Sequence, residues 1–258
     1  MKVKVVILNY NGREHLEGCI ESVESINYDN FEVIVIDNNS SDDSVDYINK
    51  NHTDVAIMQI EKNLMFAGGY NYFFNQDQED CFYMILNNDT IVDADILRDF
   101  MIGVRRYGIN NIYGCKIMYA SAPDKIWYAG GEVDLNRGLI KHIGIRKEDL
   151  ELNDCITDYV TGCCMFFHSS MIKKLGGFDS RFNMYMEDVD LCLRAKQKGL
   201  NCYFLKKPTL YHKVSGSVSL NSKIFKTIVS YAKLSFKHSG VCAILNIPLF
   251  LIRRLLSI

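Results

Sequence analysis

The sequence predicts an α/β chain built on a mainly parallel central sheet with helices on both faces. Three observations carry that expectation. Short apolar runs alternate with helix-period segments four times in roughly the first 110 residues, the order that winds strands side by side in parallel. Of 258 residues, 48% are apolar and 23% charged, the ordinary composition of a folded globular chain. That composition excludes a disordered chain, a collagen-like repeat and a polytopic membrane protein. Finally, polar clusters fall directly after the strand-like runs, where ligands sit in such sheets.

The first run, Lys4 to Leu8, leads into Asn11-Gly12-Arg13-Glu14, which reads as a capping box with Asn11 as N-cap. Leu16, Cys19, Ile20 and Val23 then recur at helical spacing. Phe31 to Ile36 is a second strand, ending in Asp37-Asn38-Asn39-Ser40-Ser41-Asp42, with a polar helix to about Lys50. Val55 to Ile60 reads as a third strand and Gly68 to Gln78 as a helix. Cys81 to Leu86 is a fourth strand, closed by Asn87-Asn88-Asp89. Ile96, Phe100, Met101 and Val104 mark another helix, stopped by Gly108. The second half is less regular, with strand-like pieces near 111–118, 126–134 and 157–168 and loops marked by Gly130-Gly131, Gly138 and Gly144. No internal repeat interrupts the pattern.

The net charge of −2 conceals an asymmetry. Residues 206–258 hold nine Lys/Arg and no acid, which leaves 20 Lys/Arg against all 31 acids in residues 1–205, a formal −11. A basic tail on an acidic body points to an anionic partner. Val241 to Ile252 is mostly apolar but falls short of the roughly 20 residues a bilayer span needs, and Pro248 interrupts it. The expectation is an interfacial helix on the inner leaflet, with Lys223, Lys226, Lys233 and Lys237 facing headgroups. The competing reading packs the tail on the core. Its apolar residues are aliphatic more than aromatic, unlike a nucleic-acid stacking platform, so no nucleic acid is expected. Nine cysteines without C-x-x-C spacing, and no cleavage site after Met1 to Leu8, predict reduced thiols and no signal peptide in a cytoplasmic protein.

No G-x-G-x-x-G follows the first strand and no G-x-x-x-x-G-K-[ST] occurs, which argues against a dinucleotide dehydrogenase and a P-loop NTPase. Asp37 could accept hydrogen bonds from a base or ribose, or simply cap the next helix. Asp89 alone is a weak metal ligand, but a bound diphosphate would add oxygens suited to Mg2+ or Mn2+; its plain alternative is a turn residue. Glu187, Asp188 and Asp190 precede a helix whose apolar face is Val189, Cys192 and Leu193. Acids there stabilise the helix dipole. Three crowded acids could also raise one pKa toward that of a useful base. His212 becomes a metal ligand only if the sheet brings it beside Asp89.

Taken in order, VVILNYNG (5–12), VIDNNSSD (35–42), NLMFAGGYN (63–71), LNNDT (86–90) and TGCCMFFHSSMIKKLGGFDSRFNMYMEDVDLCLRAKQKG (161–199) resemble glycosyltransferase family 2. The likeness is to the GT-A nucleotide-sugar-binding fold and the bacterial rhamnosyltransferase-like branch, with His212 at the usual distance beyond. IWYAGGEVD (126–134) resembles the family's variable acceptor-side segment. The resemblance implies a GT-A domain over 1–215, its nucleotide-binding half about 1–110 and its acceptor and catalytic half about 111–215, with 216–258 as a helical tail. It implies a donor pocket of Asn9, Asn11, Asp37, Asn39, Asn63, Gly68, Asn71 and Asn88. Asp89 and His212 would hold Mg2+ or Mn2+. Asp188 would be the general base, with Glu187 orienting donor or acceptor. Trp127, Gly130, Gly131, Thr161 and Gly162 would line the acceptor side.

The implied reaction is inverting transfer from a dTDP- or UDP-sugar, dTDP-rhamnose among them, to a hydroxyl of a saccharide or lipid-linked saccharide. The implied setting is bacterial surface polysaccharide synthesis on the inner face of the plasma membrane, by a monomer or a homo-oligomer. Two departures from the family pattern stand out. Asn87 replaces the first aspartate of the D-x-D metal motif, which removes a negative charge. Met65 stands where glycine is common, so the loop is expected to differ slightly. The alternatives are a non-catalytic nucleotide-sugar-binding protein and, further off, a sugar nucleotidyltransferase, whose glycine-rich basic loop Asn9-Tyr10-Asn11-Gly12 does not supply. A glycosidase could use paired carboxylates but has no need of a nucleotide pocket.

Overall fold

A computed structural model describes residues 1–148, 151–214, 220–240 and 246–256; the side chains at 220–223, 252 and 254–256 lie outside that description. Strands β1 (Val3–Asn9), β2 (Phe31–Asp37), β3 (Ala56–Gln59) and β4 (Phe82–Asn87) run parallel in the order β4-β1-β2-β3. Helices α1 (Arg13–Glu24), α2 (Ser44–Asn51) and α3 (Met65–Gln76) connect them. This is the repeated strand–helix layout expected from the sequence. The strands read as unbroken apolar runs because both faces are covered: Val3, Val5, Val6 and Ile7 of β1 are fully buried.

The second half extends the same sheet with β6 (Asn111–Tyr119), β10 (Cys155–Thr157), β11 (Cys164–His168) and β12 (Asn201–His212), giving the order β10-β12-β6-β11-β4-β1-β2-β3. Strands β10 and β11 run antiparallel to their neighbours, and the other six are parallel. Short β5 (Thr90–Val92) pairs with the end of β12, and β7 (Ala122–Tyr128) pairs with β6. A separate hairpin joins β8 (Gly131–Asp134) to β9 (Leu139–His142). Helix α4 (Ile96–Tyr107) lies on β12 and β6. Helices α5 (Ser169–Leu175), α6 (Glu187–Gln197), α7 (Leu220–Ser239) and α8 (Ile247–Leu256) complete the chain.

Three local expectations are corrected. The piece at 126–134 is two strands in different sheets, broken at Gly130, whose φ of +106 an L side chain rarely adopts. The piece at 157–168 is likewise two strands, β10 and β11. The capping box does not form: Gly12 is the N-cap of α1 without a side-chain bond. Asn11 instead turns left-handed (φ +47), and its Oδ1 accepts the Ser41 N–H at 2.7 Å, so it ties the first loop to the second.

The tail is helical but its lysines do not point as expected. Lys237 reaches inward to Asp179 at 2.7 Å and Asp190 at 2.6 Å, and Lys233 donates to the Arg181 carbonyl at 2.8 Å. Lys226 is half-buried, and the Lys223 side chain lies outside the described residues. Tyr231 and Leu234 of α7 are buried, and Tyr231 stacks on Phe250 of α8. Pro248 does not interrupt a helix but sits in the first turn of α8, where a missing N–H is spared. Residues 241–245 of the apolar stretch lie outside the description. Among the described residues no helix is long and apolar enough to cross a membrane. Eight described cysteines are free thiols, all buried except Cys155.

Between the sheet and α4, Phe166 is stacked with Phe82 on one side and Phe100 on the other, centroids 5.0 and 4.7 Å away and planes within 7°. All three rings are fully buried. Phe166→Ala should therefore cost about 3–5 kcal/mol in denaturant unfolding, from lost transfer energy plus the cavity left behind. A loss under about 1 kcal/mol would mean the stack can collapse.

Candidate active site

The parallel strands end on one edge of the sheet, and the loops leaving them supply the site. Asn9 closes β1, Asp37 closes β2 and Asn87 closes β4; His212 closes β12, which runs the same way. Strand β11 runs the other way, so its beginning, Thr161-Gly162-Cys163, arrives at that edge too. The Asn87 N–H donates to the Cys163 carbonyl at 3.0 Å, which locks the two halves of the chain together there.

On the β1–β2 side a chain of side-chain bonds fixes the loops. Asn88 Nδ2 donates to Asn9 Oδ1 at 2.8 Å, and Asn9 Nδ2 donates to Asp37 Oδ1 at 3.3 Å and to Ser40 Oγ at 3.2 Å. Asp37 is buried, and its Oδ2 accepts the Ser40 N–H at 3.0 Å. Gly12 is required beside this chain, because a Cβ there would fall 2.0 Å from Asn88 Nδ2. Asn39 is an exposed left-handed turn residue (φ +66).

Sequence reasoning passed over its neighbour Asn38. That side chain accepts from the Leu64 N–H at 2.8 Å and donates to Asn63 Oδ1 at 3.0 Å and to the Met65 carbonyl at 3.1 Å. It is Asn38 that seats the Asn63 loop. Two adjacent asparagines carry no sequence signal for which one faces inward. Met65 itself has φ +59, so the loop keeps the left-handed turn that favours glycine even with methionine present. Gly68 lies in α3 against Leu64. Asn71 does not join the polar crevice network: both its amide groups are spent on the Phe178 main chain, at 2.8 Å each.

Asp89 and His212 are brought together across β5 and β12, with Nε2 to Oδ2 at 3.2 Å and both residues buried. Two adjacent ligands of an octahedral ion at about 2.1 Å lie about 3 Å apart, so the pair fits a hard divalent cation. Asp89 Oδ2 is the acceptor for His212 Nε2, while His212 Nδ1 is buried with no hydrogen-bond partner among the described residues. Among the described residues no cluster of three or more His, Cys, Asp or Glu forms, and further oxygens would have to come from a ligand. Trp127 packs edge-on between His212 and His142, with centroids 4.5 and 4.4 Å away. His142 is a neighbour that sequence reasoning did not single out. Gly130 and Gly131 bend the chain just beyond Trp127, and the Gly131 N–H donates to Thr157 Oγ1 at 2.6 Å.

The catalytic-type carboxylates begin α6. Asp188 Oδ2 accepts the Gly162 N–H at 2.9 Å and Oδ1 accepts the Val189 N–H at 2.8 Å. Gly162 packs so tightly that a Cβ would fall 2.7 Å from the Phe66 ring. Thr161, beside it, is buried. Glu187 is buried, and its Oε2 has no hydrogen-bond partner among the described residues. Burial first, and the neighbouring Asp188 charge second, push the Glu187 carboxyl up to about 8. Burial also raises Asp188, against the two N–H donors that favour its charged form. Both carboxyls of the pair are thus raised, with burial the main cause at each. Burial first, and the Asp89 charge second, raise the buried Cys163 thiol.

The third acid is not part of this cluster. Asp190 faces away, bonded to Arg194, Lys237 and His238, and those hydrogen bonds outweigh its burial and keep its carboxyl below the ordinary value. Burial, not repulsion among three acids, is thus the main cause of the raised pKa. Along α6 the buried apolar residues are Val189, Leu191, Cys192 and Ala195, while Leu193 is only half-buried.

Sheet order, the crevice at the carboxyl edge and the Asp–His and Glu–Asp pairs define a GT-A glycosyltransferase. Residues 4–176 match the family described as glycosyl transferase family 2, and the chain belongs to that family. It is 20% identical over 209 residues to the low-salt glycan biosynthesis hexosyltransferase Agl10 of Haloferax volcanii, covering 77% of this chain and 63% of that protein. It is 34% identical over 98 residues to the N-acetylglucosaminyl-diphospho-decaprenol L-rhamnosyltransferase of Mycobacterium tuberculosis, covering 37% of this chain and 32% of that one. The chain thus spans less than two thirds of the length of these curated relatives. Among solved structures, that of GalNAc-T7 with UDP, GalNAc and Mn2+ superposes with a TM-score of 0.72 at 15% identity, covering 91% of this chain and 47% of the other. That likeness is one of fold.

The raised Glu187 pKa has a measurable consequence. Unfolded, the carboxyl releases its proton near 4.5; folded, it keeps it to about 8. Between those values the folded state binds more protons, so this stabilisation is fully present below 4.5 and is lost as pH rises toward 8. In Glu187→Gln the fall in unfolding free energy across that window should become shallower. An unchanged slope would place the carboxylate in water.

Proposed function

We propose that the chain transfers a sugar from UDP or dTDP to a hydroxyl of a saccharide or lipid-linked saccharide, inverting the anomeric carbon. The carrying observation is the geometry of the Glu187–Asp188 pair: Asp188 oriented by two main-chain N–H groups, beside a buried Glu187 whose Oε2 has no hydrogen-bond partner among the described residues. Asp188 takes the proton of the acceptor hydroxyl as its oxygen bonds to the anomeric carbon. On the opposite face the bond to the diphosphate oxygen breaks, and the nucleoside diphosphate leaves. A single displacement of this kind inverts configuration. Glu187, with a free oxygen, orients a donor or acceptor hydroxyl.

Asp89 and His212 would hold Mg2+ or Mn2+, which when bound supplies Lewis-acid neutralisation of the diphosphate charge. Asn9, Asn11, Asp37, Asn39, Asn63, Gly68 and Asn88 wall the nucleoside side; Asn71 supports that wall through Phe178. Trp127, Gly130, Gly131, Thr161 and Gly162 face the acceptor. The hexosyl and rhamnosyl activities named for the two relatives support a hexose or rhamnose donor, and the decaprenyl diphosphate in one name supports a lipid-linked acceptor. UDP and Mn2+ in the GalNAc-T7 structure support the nucleotide and the metal. The setting that follows is polysaccharide assembly on the inner face of a bacterial plasma membrane.

An anionic lipid surface is the partner proposed for the tail. Residues 216–258 hold six Lys/Arg and no acid, and those other than the inward-turned Lys237 supply the charge complementarity. The contact runs through the face of α7 turned away from the domain, where Phe225, Val229 and Phe236 are 68%, 36% and 61% exposed and lie within about 40° of one another around the helix.

Asp188→Asn should lower transfer about 10²–10⁴-fold with donor affinity intact; an equal loss of donor binding would make Asp188 a structural residue. A UDP or dTDP compound with Mn2+, at about 100 times its dissociation constant, should add about 2.7 kcal/mol of stability. Asp89→Ala should abolish the metal-dependent part of that gain, and no shift with any nucleotide would overturn the donor assignment. Replacing Phe225 and Phe236 together by Ser should release the protein from vesicles containing anionic lipid; undiminished binding would remove the membrane contact.

A further inference from the structure

Helix α7 lies wholly outside the residues that match the family, yet it grips the segment that presents the carboxylate pair. Four side chains on its inward face reach that segment. Lys237 Nζ bridges Asp179 at 2.7 Å and Asp190 at 2.6 Å. His238 Nε2 lies 2.8 Å from Asp190 Oδ1. Ser230 Oγ donates to the Met184 carbonyl at 2.8 Å, and Lys233 Nζ donates to the Arg181 carbonyl at 2.8 Å. The contacts therefore fall at 179, 181, 184 and 190, on both sides of Glu187 and Asp188.

The gripped segment needs holding. Tyr185 and Met186, immediately before Glu187, have φ of +70° and +71°. Consecutive left-handed residues other than glycine are costly and persist only when their surroundings enforce them. Elsewhere in the chain, Asn71 fixes Phe178, and Arg194 ties Asp190 to the carbonyls of Leu175 and Gly177. Neither reaches residues 181–186. Asp190 is fully buried and stands three residues, about one helical turn, from Glu187, so its attachment sets the pitch and roll of the first turn of α6.

We propose that α7 is a splint for the catalytic segment, with Ser230, Lys233, Lys237 and His238 acting as positioning residues for Glu187 and Asp188. The inference rests on the proposed transfer reaction for its consequence, but the splint itself is a property of the fold. Removing it loosens the carboxylate pair while leaving the nucleotide side of the crevice unchanged, since the loops after β1 and β2 are tied to one another and not to α7.

The test uses the full chain carrying Lys237→Met, with Lys237→Arg as the conservative variant and Lys50→Met, at an exposed lysine of α2, as control. Asp190 keeps Arg194 and His238 in Lys237→Met, and Asp179 keeps Arg181, so the chain should fold. Two quantities are read: amide hydrogen exchange of the peptide 182–190, and kcat against donor KM. The proposal expects faster exchange at 182–190 with no change at 35–42. It also expects kcat to fall about 10–100-fold at nearly constant donor KM, as misplacement of a reacting group does. Lys237→Arg should recover most of the loss, and Lys50→Met should match the wild type. Unchanged exchange at 182–190, or a rise spread evenly over the whole chain, would overturn the splint. Faster local exchange in a chain that transfers no sugar from any donor would uphold the splint and remove the transfer reading instead.

Discussion

Everything in this molecule depends on the seam where β4 and β11 meet. Strand β4 belongs to the repeating first half; β11 arrives from the irregular second half and runs against it, Cys164 opposite Leu86. Because the pairing is antiparallel, the start of β11 falls beside the end of β4. The bond from Asn87 to Cys163 therefore sits between Asp89, two residues on, and Gly162, whose N–H holds Asp188. Slip the register by one residue and every side chain of β11 changes face. The Phe82–Phe166–Phe100 stack buried along this seam is what specifies the register.

The acids of the site differ in environment rather than in kind. Asp37, Asp89, Glu187, Asp188 and Asp190 are all largely withdrawn from water, yet each is treated differently. Asp37 is bonded to an amide and a main-chain N–H, and Asp89 to a histidine. Asp188 has two N–H donors, Glu187 has an oxygen with no partner among the described residues, and Asp190 is bonded to Arg194, Lys237 and His238. Hydrogen bonds to the charged form lower a pKa and bare burial raises it. Two neighbours on one helix, Glu187 and Asp188, are both raised by burial, and at Asp188 the Gly162 and Val189 N–H groups oppose that rise.

The tail shows how composition can mislead about direction. Its charge is real, but a lysine finds the nearest strong acceptor, and for Lys237 that is the Asp179–Asp190 pair of the acidic body. The part of α7 left facing outward holds Phe225, Val229 and Phe236 together with the exposed Lys233. Amphipathic side chains bury their charge when a desolvated carboxylate is within reach, so the positive end of this chain does structural work inside the fold as well as presenting a surface.

The sequence by itself determined the first half: four apolar runs, their intervening helices and the polar clusters after each strand are local signals, set by periodicity and turn chemistry over fewer than about twenty residues. It also placed Asp37, Asp89, Glu187, Asp188 and His212 at element ends, where side chains reach a crevice. Tertiary structure alone decided which of them meet. His212 lies 123 residues beyond Asp89 and touches it only because β5 and β12 pair. The choice of Asn38 over Asn39 as the inward residue, the hold of the Gly162 N–H on Asp188, the loss of Asp190 to α7, and the inward turn of Lys237 were likewise invisible. Each is set by burial and by contacts between residues far apart in the chain, and no local pattern encodes how much water a carboxylate will lose.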